Sequence, residues 1–151
     1  SAGIPVLADI VRNAEFLLAL KGRIILKVNR EEFLKITGSG DLSAALSGAA
    51  GRYPHVVFAI TNGPDCAYLS AGGICRKYSI PHLERIASPL GAGDTAAAVL
   101  ASCLLNGDDI FAAFRSALAA ASANCLSAMA GSFAMADFER FSAQIAVSEC
   151  R

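Results

Sequence analysis

A short glycine-rich segment, Gly91-Ala92-Gly93-Asp94, carries the residue types best suited to chemistry in this chain. It precedes an apolar run, residues 95–105, that predicts a helix. Glycines at a helix start let the backbone approach a ligand, and the N–H groups and helix dipole there favour an anion such as phosphate. Asp94 is either the cap of this helix or a general base for an attacking hydroxyl, and the spacing leaves both interpretations open.

The pattern along the rest of the chain predicts the strands and helices that position this segment. Three apolar runs rich in β-branched residues predict strands, at residues 4–10, 23–28 and 55–61. Six stretches with helical spacing predict helices, at residues 12–20, 29–36, 41–50, 95–105, 109–130 (with a break near Asn124) and 137–147. Residues 66–70 and 74–80 flank a glycine turn and predict a β-hairpin. Strands alternating with helices, then a block of helices, predict an α/β fold with a mainly parallel sheet.

The composition narrows the classes of partner. Thirteen Lys and Arg residues balance thirteen Asp and Glu residues, so the whole chain lacks the positive charge that nucleic acids or anionic membranes attract. The uncharged stretch at residues 116–136 consists mostly of Ala, Ser and Gly, which is typical of closely packed helices rather than of a membrane span. We therefore expect neither a nucleic-acid partner nor a membrane partner.

The five cysteines are Cys66, Cys75, Cys103, Cys125 and Cys150. Their number is odd, they are widely spaced, and they form no C-x-x-C pair. This pattern predicts reduced, buried cysteines in a cytoplasmic protein.

Three motifs in this chain resemble those of the PfkB (ribokinase-like) family of carbohydrate kinases. The stretch Ser88-Pro-Leu-Gly-Ala-Gly-Asp-Thr95 resembles the family signature N-P-x-G-A-G-D-[ST]. Upstream, Asn29-Arg-Glu-Glu32 resembles its N-x-x-E motif, and Thr61-Asn-Gly63 resembles its T-x-G motif. The motifs stand in the family's order and the resemblance covers essentially all 151 residues, which implies a ribokinase-like three-layer α/β fold.

The resemblance implies a catalytic role for the glycine-rich segment. Asp94 matches the base that deprotonates the sugar hydroxyl, and the backbone amides of Gly91, Ala92 and Gly93 match the hole that holds the transferred phosphoryl charge. The physical requirements agree, because phosphoryl transfer needs positioning and charge stabilisation more than covalent help.

The resemblance also implies ATP and Mg²⁺ as cofactors. Seven residues match the family's nucleotide region: Asn29, Glu32, Thr61, Gly63, Leu118, Ala121 and Asn124. Glu32 also matches the metal region. The residues themselves leave structural alternatives open: Asn29 and Glu32 are spaced like a helix-capping pair, Thr61 and Gly63 like a strand-end turn. The small residues around Ala121 are explained equally well by tight helix packing.

Three departures from the family pattern refine this expectation. Ser88 stands where potassium-dependent members often carry an acidic residue, so a potassium requirement is not implied. Cys66 stands where a second glycine is common in the nucleotide loop. The serine-proline start of the signature looks similar to the phosphosugar branch, such as 1-phosphofructokinase and tagatose-6-phosphate kinase.

The family's enzymes are about twice as long as this chain, and the resemblance is to their C-terminal half. We therefore expect residues 1–151 to form a single partial domain without the N-terminal half and the lid, so that the sugar cannot be identified. An unpaired sheet edge would then favour self-association or docking of the missing half.

The expected function is ATP-dependent phosphorylation of a sugar or sugar-phosphate hydroxyl, although the truncated chain alone is expected to be inactive. Two alternatives from other classes stay open: a nucleotide-binding module without catalysis, and a structural or assembly module.

Overall fold

A sheet of six strands in the order β1 to β6 runs through the part of the chain that the computed structural model describes, residues 5–9 and 12–150. The strands are β1 Val6–Ala8, β2 Ile24–Asn29, β3 Val56–Asn62, β4 Cys66–Ala71, β5 Ile74–Ser79 and β6 Ala146–Glu149. The described residues divide into two compact units, one extending to Lys77 and including residues 148–150, the other comprising Tyr78–Val147.

The first three strands pair in parallel, and β4 runs antiparallel to β3. Strand β2 is buried from Ile24 to Val28, which explains its almost continuous apolar run, because a parallel strand is covered on both faces. The register places Asn29 at the end of β2 beside Thr61 near the end of β3. The predicted α/β class and parallel sheet are therefore confirmed for these strands.

The turn between β4 and β5 forms the predicted hairpin. Gly72 and Gly73 have φ angles of 57° and 82°, so both central residues adopt the left-handed conformation. Two-residue turns of this kind match the twist of antiparallel strands, and glycine adopts them without strain.

Three helices belong to the first unit, namely α1 Ala14–Leu18, α2 Arg30–Thr37 and α3 Leu42–Arg52. In α3 the buried residues Leu42, Ala45, Leu46 and Ala49 recur at helical spacing and join the core of the sheet. The ring of Phe33 in α2 also packs in this core.

The second unit contains α4 Ala92–Leu105, α5 Ile110–Asn124 and α6 Met135–Gln144. Helix α5 is buried along most of its length, and its alanines allow the neighbouring helices to approach closely. The rings of Tyr78 and Phe114 meet edge to face, with centroids 5.2 Å apart.

The helix predicted at residues 137–147 is wrong at its C-terminal end. Helix α6 ends at Gln144, and Ala146–Glu149 is strand β6. A four-residue strand directly after an amphipathic helix has too few residues to show its own period. Helix α5 ends at Asn124, at the predicted break, but the helix predicted to continue to residue 130 is wrong, because residues 125–131 form turns and bends. The ends of the first predicted strand, Ile4 and Ile10, lie outside the described residues.

The prediction of reduced, buried cysteines is wrong for Cys75 and Cys150, which form a disulfide. Strand β6 brings Cys150 next to β5, with 5.3 Å between the two Cα atoms, and the N–H of Cys150 donates to the carbonyl of Cys75. Of the free cysteines, Cys66 is buried, whereas Cys103 and Cys125 are partly exposed. Among the described helices, none is long and apolar enough to cross a membrane.

Candidate functional site

Gly91 sets the shape of the loop that leads into α4. Its φ angle is 78°, and a Cβ atom added there would lie 2.8 Å from the Cβ of Ala130. Both the left-handed backbone and this close approach exclude a side chain at Gly91. The glycine at this position is therefore required by the geometry of the loop, residues 88–94, which we call the glycine loop.

The amino end of α4 keeps free hydrogen-bond donors. The N–H of Ala92 donates weakly to the carbonyl of Pro89 at 3.3 Å, whereas those of Gly93 and Asp94 have no acceptor within the described residues. No described side chain caps the helix. The sequence also contains no Lys or Arg between Arg85 and Arg115. An anion at this helix end would thus be held by backbone N–H groups and the helix dipole.

Asp94 lies in the first turn of α4 and is exposed. Its carboxylate caps no helix N–H and, within residues 5–9 and 12–150, has no hydrogen-bond or ion-pair partner. It lines a cavity of about 490 Å³ together with Thr95 and Val99 of the same helix and Gly131 and Phe133 beyond α5. The capping interpretation of Asp94 is therefore wrong, and its carboxylate is exposed and unpaired among the described residues.

The three residues nominated on α5 differ in exposure. The side chains of Leu118 and Asn124 are buried, and that of Ala121 is partly exposed. Asn124, the last residue of α5, accepts hydrogen bonds at Oδ1 from the Thr95 hydroxyl (3.3 Å) and the Gly131 N–H (2.7 Å). Its Nδ2 group donates to the carbonyl of Leu90 at 3.0 Å. Asn124 thus contacts the segments that surround Gly91.

In the first unit, Asn29 and Glu32 form a capping box at the amino end of α2. The Asn29 Oδ1 atom accepts from the Glu32 N–H at 2.9 Å, and the Asn29 N–H donates to Glu32 Oε2 at 2.8 Å. The structural interpretation of this pair is therefore confirmed. The pair remains accessible, because Asn29 is exposed and Glu32 is partly exposed.

The four residues of the first unit that the motifs single out gather at one edge of the sheet. Asn29 and Thr61 are register partners at the carboxyl ends of parallel strands, and Gly63 follows in the turn with a φ angle of 64°. Glu32 lies one helical turn from Asn29. Ligands in α/β folds bind at the carboxyl ends of parallel strands, so this polar edge (Asn29, Glu32, Thr61 and Gly63) is a second candidate region.

An ion pair that the sequence did not predict lies near the carboxyl end of β2. Lys27 is 4% exposed, and its Nζ lies 2.7 Å from Oδ2 of Asp9, which follows β1. A buried ammonium needs such a partner. The sequence feature that could have indicated this ion pair is a lysine within the apolar run of residues 24–28, two positions before Asn29.

Two free cysteines, Cys103 and Cys125, have raised pKa values and are therefore not activated nucleophiles. Burial raises the pKa of the Cys103 thiol, with a further contribution from Asp108, and burial alone raises the pKa of Cys125. A raised pKa keeps a thiol protonated at neutral pH, and the thiolate is the reactive form. Both thiols are thus suited to packing rather than to covalent catalysis.

A model of the pfkB family of carbohydrate kinases matches residues 2–136. Phosphofructokinase-2 from Escherichia coli, solved in complex with potassium, is 20% identical to this chain with a TM-score of 0.76, over 93% of this chain and 46% of that one. Ribokinase from Arabidopsis thaliana, complexed with ribose and ATP, is 22% identical with a TM-score of 0.74, over 92% and 47%.

A candidate ribokinase II from E. coli in complex with ATP and Mg²⁺ is 20% identical with a TM-score of 0.70, over 87% of this chain and 42% of that one. These likenesses confirm the ribokinase-like α/β fold. The chain spans about half the length of the kinases that it matches. No curated protein matches it significantly.

Proposed function

Because this chain belongs to the pfkB family of carbohydrate kinases, we propose that it serves ATP-dependent phosphoryl transfer to a hydroxyl of a sugar or sugar phosphate. One observation carries the proposal. The amino end of α4 opens on a glycine loop with unpaired N–H groups, directly beside the exposed and unpaired carboxylate of Asp94. An anion-holding helix end next to a free carboxylate is what the transfer of a phosphoryl group to a hydroxyl requires.

Asp94 acts as the general base in this proposal. Its carboxylate accepts the proton of the sugar hydroxyl as the hydroxyl oxygen forms a bond to the terminal phosphorus of ATP. The bond between that phosphorus and the ADP oxygen breaks, and ADP leaves. The carboxylate has no competing partner within the described residues, so it is available to accept the proton.

The backbone of the glycine loop stabilises the charge of the transferred group. The N–H groups of Gly91, Ala92 and Gly93 belong to this anion hole by the family motif, and that of Gly93 has no acceptor within the part of the chain described here. The N–H of Asp94 is equally free and adds a donor. Fixed donors at a helix amino end stabilise developing negative charge without reorganising.

The polar edge of the first unit is proposed as the region that serves the nucleotide and its metal. Mg²⁺ binds through one or two carboxylates together with substrate phosphates, rather than in a cage of protein ligands. Glu32 fits this mode, because its Oε1 atom has no hydrogen-bond partner among the described residues. When bound, Mg²⁺ neutralises phosphate charge. Asn29 positions the Glu32 carboxylate through the capping box, and Thr61 and Gly63 line the strand end beside them.

The test is a titration of the chain with ATP in the presence and absence of Mg²⁺, by calorimetry, followed by ADP release with a panel of sugars and sugar phosphates in a longer form that also carries the N-terminal half found in the family's enzymes. We expect Mg²⁺-dependent ATP binding and ADP release that requires one class of acceptor. ATP binding without any acceptor-dependent release would favour a nucleotide-binding module instead. Absence of ATP binding by the folded chain would contradict both. Self-association and a cytoplasmic location stay predictions.

A further inference from the structure

We propose that Asn124 is the positioning residue of the anion site, the side chain that holds the glycine loop in its open shape. The inference rests on the proposed function and deepens it. Asn124 is 0% exposed and lies at the end of α5, 29 residues from Thr95 and 34 residues from Leu90. Because the Asn124 side chain is fully buried, it cannot touch a nucleotide directly and would act through the glycine loop that it holds.

Three hydrogen bonds tie Asn124 to the surroundings of Gly91. The Leu90 carbonyl precedes Gly91, the Thr95 hydroxyl lies in the first turn of α4, and the Gly131 N–H adjoins Ala130, whose Cβ faces Gly91. Because α4 has no side-chain cap, its entry loop is held by these contacts, together with the bonds of the Ser88 N–H to the Cys125 carbonyl and of the Leu90 N–H to the Ser88 hydroxyl. Asn124 therefore holds the backbone on both sides of Gly91, the residue at which a Cβ atom would not fit.

The chemistry of the three partners selects an amide. Two partners, the Thr95 hydroxyl and the Gly131 N–H, donate, and the third, the Leu90 carbonyl, accepts. An asparagine side chain has an acceptor with two lone pairs and a separate donor, so it satisfies all three. Aspartate has the same shape without the donor, and leucine has neither group.

The decisive experiment compares Asn124→Asp and Asn124→Leu with Ser122→Ala in the full chain. Ser122 is a matched control because it is buried in the same helix, but its hydroxyl donates only to the Leu118 carbonyl one turn away (2.9 Å). The probes are ATP and adenosine with Mg²⁺, measured by calorimetry at a temperature where circular dichroism shows each variant folded. Adenosine lacks the phosphates that the loop would hold, so the ratio of the two affinities reports on the anion site.

We expect both Asn124 variants to lower the ATP affinity about tenfold or more, with a change in adenosine affinity below about threefold, because broken hydrogen bonds at a buried site have effects of this size. Ser122→Ala should leave the ratio unchanged. An unchanged ratio in a folded Asn124→Asp or Asn124→Leu variant would overturn the proposal. If Asn124→Leu does not fold, Asn124→Asp, which keeps the shape of the side chain, decides.

Amide hydrogen exchange separates failure of this inference from failure of the proposed function. If the wild-type chain binds no ATP, the proposed function fails, but exchange still tests Asn124. A rise of about tenfold or more in the exchange rate, confined to the hydrogen-bonded amides of Leu90, Ala92, Thr95 and Gly131 in the Asn124 variants, supports the positioning role. A rise spread evenly over α4 and α5, as in any weakened core, contradicts it.

Discussion

Helices α2 and α4 begin in opposite ways, and the contrast separates residues that stabilise the fold from residues that are free to act. At α2, Asn29 and Glu32 bond each other's backbone N–H groups, at 2.9 and 2.8 Å. At α4, Gly91 has no side chain to offer, and the N–H groups of Gly93 and Asp94 have no acceptor within the described residues. Helix N–H groups need partners, so an end left open in the fold is one that a ligand can close.

The open end of α4 has a structural consequence. A capped helix takes its entry geometry from residues adjacent in sequence, as α2 does through its capping box. The entry to α4 is held instead by contacts with the end of α5, those of Asn124 and of the Cys125 carbonyl. The N–H groups of Gly93 and Asp94 can therefore stay unpaired while the glycine loop keeps its shape, because the contacts that hold the loop involve other atoms.

The largest effect is expected at Asp94, the carboxylate beside the open end. In a longer form that also carries the N-terminal half, Asp94→Asn removes the proton acceptor, so the rate of sugar phosphorylation should fall by about 10²- to 10⁴-fold, the usual range for a general base. ATP affinity should change little. Steady-state ADP release measures the first effect and calorimetry the second.

Asp109→Asn is the matched control for this prediction. Asp109 caps α5 in the same unit through Oδ2, which accepts from the N–H groups of Phe111 and Ala112, and asparagine caps equally well. This variant removes the same charge from a helix start without touching the glycine loop. A rate for Asp94→Asn within about threefold of the wild-type rate would leave Asp94 without a catalytic role.

The second prediction concerns a change at Gly91, the residue that precedes α4. Gly91→Ala places a methyl group 2.8 Å from the Cβ of Ala130, so the loop must shift and ATP affinity should fall about tenfold or more. The free energy of unfolding should fall by about 1–3 kcal/mol because of the strained φ angle and the contact. Calorimetry and urea denaturation measure the two effects.

Gly107→Ala is the control that separates the strain of a positive φ angle from the contact with Ala130. Gly107 also has a positive φ angle, 91°, but an added Cβ would meet nothing within 4 Å. It should lower stability without lowering ATP affinity. Equal losses of ATP affinity in the two variants would mean that the space beside Ala130 has no role in binding.

These contrasts show which parts of the molecule the sequence could predict. Local patterns sufficed for the apolar strands, because their runs of β-branched residues are visible without a partner, and for the glycine hairpin at Gly72, because its two strands are adjacent in sequence. The Cys75–Cys150 disulfide depends on a sheet order that brings together residues 75 positions apart, so spacing could not reveal it.

The same limit applies to the candidate site. The motif identified Gly91 and Asp94, since loop and helix start are contiguous in sequence. The contacts of Asn124 with Leu90 and Gly131 depend on how α5 packs, and no local pattern encodes them. The sequence therefore singled out the glycine loop and nominated Asn124 for the nucleotide region, but it did not predict the contacts that join them.

The third prediction asks whether the closed end of α2 also binds. Asn29→Ala removes the cap and should lower the free energy of unfolding by about 1 kcal/mol. Asn29→Ser keeps a capping oxygen and should restore most of that stability, but not the amide that the polar edge offers to a ligand. If Asn29 serves the nucleotide region, ATP affinity should fall about threefold or more in both variants. Full ATP affinity in the serine variant would restrict Asn29 to capping.

The smallest effect is expected at Glu32, where the capping role and the proposed metal role can be separated by charge. Glu32→Gln keeps the capping box, because glutamine also bonds the Asn29 N–H, so stability should change by less than about 0.5 kcal/mol. The lost negative charge should raise the Mg²⁺ concentration needed for half-maximal ATP binding about two- to threefold. Glu31→Gln is the matched control, since Glu31 lies in the same first turn of α2 and carries the same charge, but forms no part of the box. If both variants shift the Mg²⁺ dependence equally, the effect is one of general surface charge, and Glu32 has no specific place beside the metal.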